Sequence, residues 1–191
     1  MKLTSEEALK MLKEAEKTTT HTGWIKHSIC VGNSAGKIAE ALGLDADKAK
    51  ALGYIHDIGK SVGEFTEHVM NGYYHMKELG YDDEYANICL THSYLNNDVN
   101  CTAGRPKNIP FRTEFIKNHE YTIYEKIINL CDLMCKNVNL TLEKRLIDLI
   151  ISKEITENTV YHIKEAQKLK EEIDNMLGYN VYNLFPDVIN N

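Results

Sequence analysis

Apolar residues along this chain recur every three or four positions rather than every second one, the spacing of helices with one buried stripe. Thr4 with Glu7 three positions on reads as a capping box ahead of Ala8, Met11, Leu12 and Ala15, predicting a first helix that ends near Lys17. A second begins at about Trp24, carries Ile25, Val31, Ala35, Ile38, Ala39 and Leu42, and stops at Gly43. Asp45 is expected to cap a third, running through Ala49, Leu52 and Ile55 and broken at Gly59, with His56 and Asp57 in its last turn. Thr66 is expected to cap a fourth, with His68, Gly72, Met76 and Leu79 before Gly80, and Asp82 or Asp83 a fifth that ends near His92.

Residues 96–112 interrupt the rhythm with Asn96-Asn97, Gly104, Pro106 and Pro110, and predict a long surface loop of the kind that covers a site. Helices then follow over about 123–138, 142–152 and from near Thr159 to Leu177, with Gly178 as terminator. The expected fold is all-α, a compact bundle of about seven to nine helices. Residues 1–191 are expected to form a single domain, with its core at about 20–140 and a C-terminal helical extension.

A hydrophobic fraction of 43% and a charged fraction of 26% exclude a mainly disordered chain. The net charge of −6 argues against a large nucleic-acid or acidic-membrane surface. No stretch approaches the roughly 20 apolar residues that span a bilayer, and Met1 to Glu7 has no apolar signal core, so a cytoplasmic location without membrane contact is expected. Five cysteines, Cys30, Cys89, Cys101, Cys131 and Cys135, are odd in number and lack paired spacing, which reads as reduced thiols.

Two features carry chemistry. His56-Asp57 is followed at once by Ile58-Gly59-Lys60, and Asp132 stands inside the apolar run Ile127 to Met134. A carboxylate among core residues is unfavourable by several kcal/mol unless a charge or a metal satisfies it, a physical reason for Asp132 to be a ligand. His and Asp are the nitrogen and oxygen donors that borderline and hard divalent cations accept. His27, one helix upstream of His56, faces it if the two helices form an antiparallel hairpin. Bland readings stand beside these. His68 also fits a surface histidine, His92 a residue at a helix dipole, and Lys60 a solvated lysine after a helix end. Cys131 and Cys135, four apart, fit small buried hydrophobes better than a ligand pair. His75 reads as partly buried and structural, and His21, His119 and His162 have no supporting pattern.

The order His27, His56-Asp57, Asp132, with matching segments Trp24 to Ser28 and Gly53 to Lys60, resembles the HD-domain superfamily of metal-dependent phosphohydrolases. Members with two metals have two further histidines, and His68 and His92 stand where that pattern expects them. The resemblance implies that Asp57 bridges two divalent ions, that His27, His56 and Asp132 hold one, and that His68 and His92 hold the other. Fe or Mn is favoured, with Ni, Co, Zn or Mg as further choices. A metal-activated water would then attack a phosphate ester or anhydride, with no separate serine or cysteine nucleophile. Asp57 and Lys60 would be catalytic, and Arg105 and Lys107 would reach outer phosphates of a small, nucleotide-like substrate. The chain is also similar to the bacterial branch that splits diadenosine tetraphosphate. It departs from that branch at Trp24, in the long stretch before Asp132, and in Leu133-Met134-Cys135-Lys136 after it. A di-iron oxygenase and a non-catalytic, metal-stabilised nucleotide-binding module are the alternatives on the same ligand set.

Overall fold

The computed structural model describes residues 1–107 and 109–191. Among them nine α-helices occur: α1 (Ser5–Thr18), α2 (Gly23–Ala41), α3 (Ala46–Ile55), α4 (His68–Glu78), α5 (Asp83–Thr91), α6 (Pro110–Asn118), α7 (Ile123–Met134), α8 (Leu142–Ser152) and α9 (Thr159–Leu177). Short 3-10 turns cover Ile58–Ser61, Phe65–Glu67 and Val181–Leu184. No β-strand is found among the described residues, and the all-α expectation holds; Cys135 and Asn139 form an isolated antiparallel bridge.

The helix ends follow from local chemistry. Thr4 and Glu7 complete a reciprocal capping box on α1, Thr122 and Glu125 do the same on α7, and the Asp45 carboxylate accepts from the Lys48 amide at α3. Gly43, Gly80 and Gly178 all take positive φ just beyond helix ends, as their positions in the sequence predict.

The α2–α3 hairpin is the centre of the molecule. A β-carbon on Gly53 would lie 2.5 Å from the Cα of Gly32, so the two backbones touch where no side chain fits. α7 lies across both helices, α1 covers the outer side of α3, and α4 with α5 forms a second hairpin beside the 3-10 turn at 58–61. Ile25, Ile38, Leu52, Ile55, Ile127 and Ile128 fill the space between them and are fully buried. α8 and α9 pack against α7 and against each other, and their buried residues Leu142, Leu146, Ala166 and Ile173 join the same apolar cluster.

Several boundaries differ from the sequence reading. His56 caps the C-terminus of α3 and Asp57 lies beyond it, at φ −105° and ψ 9°, so neither is in the helix. Gly59 does not take positive φ; its role is close approach, since a β-carbon there would lie 1.9 Å from the His68 carbonyl oxygen and 2.4 Å from the Gly72 nitrogen. Thr66 does not cap α4, which grows directly out of a 3-10 turn and has Glu67 at its N-cap. α7 ends at Met134 rather than near Val138, because the bridge at Cys135 turns the chain. The segment 96–112 is neither all loop nor all surface: Cys101 is fully buried, and Pro110 opens α6, where its missing N–H is no loss. Asn108, inside that segment, lies outside the described residues.

The contact of Gly53 with Gly32 yields a test. Gly53→Ala should destabilise the protein by about 1–3 kcal/mol, because the helices must separate to admit a methyl group. Urea unfolding should show a lower midpoint at an unchanged slope.

Candidate metal centre

The hairpin geometry brings His27 on α2 beside His56 at the end of α3, their ring centroids 5.2 Å apart. Asp132, two residues before the end of α7, reaches the same point, and its Oδ1 lies 2.8 Å from His27 Nε2 and 3.7 Å from His56 Nε2. Asp57 Oδ2 completes this group at 3.6 Å from His56 Nε2 and 4.0 Å from His27 Nε2. The other oxygen of the same carboxylate, Oδ1, faces His68 Nε2 at 3.4 Å and His92 Nε2 at 3.5 Å. His27, His56 and Asp57 form one cluster and Asp57, His68 and His92 a second, and Asp132 joins the first through His27 and His56, so all six anticipated residues converge.

The imidazoles are oriented by backbone. Nδ1 of His56, His68 and His92 lies 2.6, 3.0 and 3.1 Å from the carbonyl oxygens of Gly53, Phe65 and Ile88 respectively. Nδ1–H donation to these carbonyls leaves each Nε2 lone pair aimed at the centre, the arrangement that fixes histidine as a metal ligand. Asn129, buried on α7, donates its amide to the carbonyls of Thr91 (3.3 Å) and His92 (2.8 Å), holding the end of α5 in place. The close approach at Gly59 does the same for His68, by letting α4 start against the turn that carries Asp57.

A cation fits both clusters. Nε2 of His56 is buried without a hydrogen-bond partner, an expense that a metal would remove. Nitrogen and oxygen donors bonded at about 2.0–2.2 Å to one ion stand roughly 3–4 Å apart, the spacing seen here. Asp57 is buried, and burial alone would raise its pKa. The Lys60 ammonium, followed by His56 and the proximity of His92 and His68, outweighs this and holds the carboxyl well below its usual range. Lys60 Nζ donates to Asp57 Oδ2, so without an ion it supplies the positive charge. Burial also favours protonated Asp132, yet the bond and charge of His27 keep it ionised. Burial pushes His56 and His68 down to about 4, and both present neutral nitrogens to a ligand.

These groups open into a cavity of about 680 Å³. Arg105 and Lys107 line its mouth; Arg105 is held by two bonds to Glu154, at 2.6 and 2.7 Å, and Lys107 pairs with Glu67. Sequence reasoning missed five further charged or titratable lining residues: Arg112 on α6, Lys136 just after α7, Arg145 on α8, Lys153 at the C-cap of α8, and His162 on α9. A signal existed for two of them. His162, Ala166, Leu169 and Ile173 form one buried stripe, as do Arg112 and Ile116, so each is a polar residue on an apolar face. His75 is set apart from this cavity, and Cys131 and Cys135 are buried thiols.

An all-helical domain in which histidine and aspartate side chains converge has counterparts among known proteins. A family model described as the HD domain matches residues 24–137, and the chain belongs to that family. Ribonuclease Y of Fervidobacterium nodosum is 40% identical over 70 residues, 36% of this chain and 14% of that protein. Ribonuclease Y of Thermotoga petrophila is 36% identical over 89 residues, 45% of this chain and 18% of that protein. The chain thus spans less than a fifth of the length of these relatives. The crystal structure of the HD domain of the L. monocytogenes phosphodiesterase PgpH superposes with a TM-score of 0.48 at 18% identity, covering 88% of this chain and 97% of that one. No helix among the described residues is long and apolar enough to cross a membrane.

The neutral buried histidines predict acid sensitivity. His56, His68 and His162 are each held near 4 by burial, against an ordinary value of 6.5, so between those limits the unfolded chain binds more protons. Stability of the metal-free protein should therefore fall as pH drops from 6.5 to about 4, with a slope of up to about 1.4 kcal/mol per pH unit for each imidazole. His27 acts oppositely and above that window: burial lowers its pKa, but Asp132 raises it more, and its contribution is lost as pH rises through its folded value. Thermal melts in chelator across this range should show the decline, and added Mn should reduce it.

Proposed function

We propose that this protein is a two-metal phosphohydrolase that cleaves a phosphodiester or phosphoanhydride in a nucleotide-like substrate. The observation that carries the reading is the division of Asp57: its two oxygens face separate histidine pairs, as a carboxylate shared by two cations would. His27, His56 and Asp132 would hold one ion and His68 and His92 the other, with Mn or Fe suited to the mixed nitrogen and oxygen donors. When bound, such ions lower the pKa of water toward neutrality and stabilise negative charge on a phosphoryl oxygen.

The chain's own residues supply the rest. Although the protein carries a net charge of −6, Lys60, Lys107, Arg112, Lys136, Arg145 and Lys153 all line the cavity, alongside Arg105. Arg112, Arg145 and Lys153 have no acidic partner among the described residues, and their charge in a concave, low-dielectric wall would draw in a polyanion. Lys60, beside Asp57, would contact the phosphoryl group once an ion takes over neutralisation of the carboxylate. Arg105 and Lys107, at the mouth, would meet outer phosphates. A volume near 680 Å³ accommodates a ligand of nucleotide to dinucleotide size. The relatives named ribonuclease Y support a phosphodiester of the nucleic-acid type as the bond attacked. The wall contributed by α8 and α9 supports treating residues 1–191 as one catalytic unit.

Protein isolated without added metal should contain two divalent ions per chain and, with Mn, release nitrophenol from bis(4-nitrophenyl) phosphate. Turnover that consumes oxygen without cleaving any phosphate ester, or inactivity across a panel of ions and nucleotides, would sink the proposal. Asp57→Asn should lower kcat by about three orders of magnitude or more and reduce metal content, with helical circular dichroism retained. Lys60→Ala should keep both ions yet reduce kcat about 10- to 100-fold, on the scale of one lost transition-state contact.

A further inference from the structure

Most cations that line the cavity are already neutralised. Lys60 pairs with Asp57, Arg105 with Glu154, Lys107 with Glu67, and Lys136 lies 3.4 Å from Asp148. Arg112 differs. It sits in the first turn of α6, is only 4% exposed, and has no acidic partner among the described residues. Glu67 is near enough to feel its charge but is engaged by Lys107. The guanidinium lies 5.1 Å from the centre of the Tyr94 ring, and one terminal nitrogen donates to the Lys107 carbonyl. Nε has no acceptor among the described residues.

Arginine cannot shed its proton at any physiological pH, so a buried guanidinium keeps its full charge. A buried cation without an anion is strongly unfavourable, and this one borders the cavity that leads to the metal centre. Its planar fork suits a phosphate better than an ammonium would. Stacking on Tyr94 and the bond to Lys107 hold the group in place before any ligand arrives, so little order is lost on binding.

We propose that Arg112 anchors a second phosphate of the substrate, distinct from the one cleaved, and thereby selects molecules that carry at least two phosphate groups. The inference rests on reading the neighbouring centre as a phosphohydrolase, but its test does not need turnover. A purely structural Arg112, pinning the segment before α6, would affect stability without any dependence on the anion.

Calorimetric titration of the full, metal-loaded chain with methylphosphonate and with bisphosphonates of increasing alkylene spacer provides the test, because none of these probes is hydrolysed. One spacer length should bind at least about tenfold more tightly than methylphosphonate, and that gap should vanish in Arg112→Gln. Arg112→Lys, which keeps the charge and loses the fork, should retain only part of the gap, and it carries the test if the glutamine variant does not fold. Absence of any gap in the wild-type protein, or its full persistence in both variants, would overturn the proposal. If the gap is present but no phosphate ester is hydrolysed, the anion anchor stands and the phosphohydrolase reading fails.

Discussion

The burial of one carboxylate, Asp57, governs the structure around it. Its side chain is almost inaccessible, yet its surroundings keep it ionised, so the neighbouring elements must deliver compensating charge and polar contacts. Four imidazoles and the Lys60 ammonium converge on it, and each comes from a different stretch of chain: α2, the end of α3, the 3-10 turn, α4 and the end of α5. Satisfying Asp57 and Asp132 together ties the relative placement of these elements to one another. This is a polar specification of the kind that favours uniqueness over raw stability.

Glycines make that convergence sterically possible. Contact of Gly32 with Gly53 lets α2 and α3 approach until His27 and His56 are neighbours, and the Gly53 carbonyl also orients the His56 ring. Gly59 allows the start of α4 to rest on the turn after Asp57, which places His68. In both cases a backbone occupies the space a methyl group would need, so the packing of main chains and the geometry of the His/Asp cluster are one constraint. A displacement of an ångström in either contact would shift an imidazole by a similar amount, more than the geometry of such a cluster tolerates.

Charge is distributed to complement this centre. The chain as a whole is acidic, but basic side chains from α6, the turn after α7, and α8 gather around one cavity. Residues 138–177, beyond the family match, add Arg145, Lys153 and His162 to its wall. The centre and the walls thus come from different parts of the chain. The six convergent His and Asp residues lie in the matched segment, and much of the remaining cavity wall lies outside it, where a shared fold leaves room for different specificities.

The sequence by itself determined the helical fold, most helix ends and the identity of the six convergent residues. Those features have local causes: apolar spacing, caps such as Thr4 and Asp45, glycines beyond helix ends, and a motif in which His and Asp adjoin. What it left undecided depends on contacts between distant segments. Only tertiary packing shows that Gly59 serves approach rather than chain reversal, that Asp57 offers one oxygen to each histidine pair, and that α6 begins inside an apparent loop. The same holds for Arg112 and His162, whose chemistry comes from facing one cavity from α6 and α9. Helical periodicity places such a residue on the buried side. It cannot say what lies opposite, because that depends on how whole helices are arranged in space.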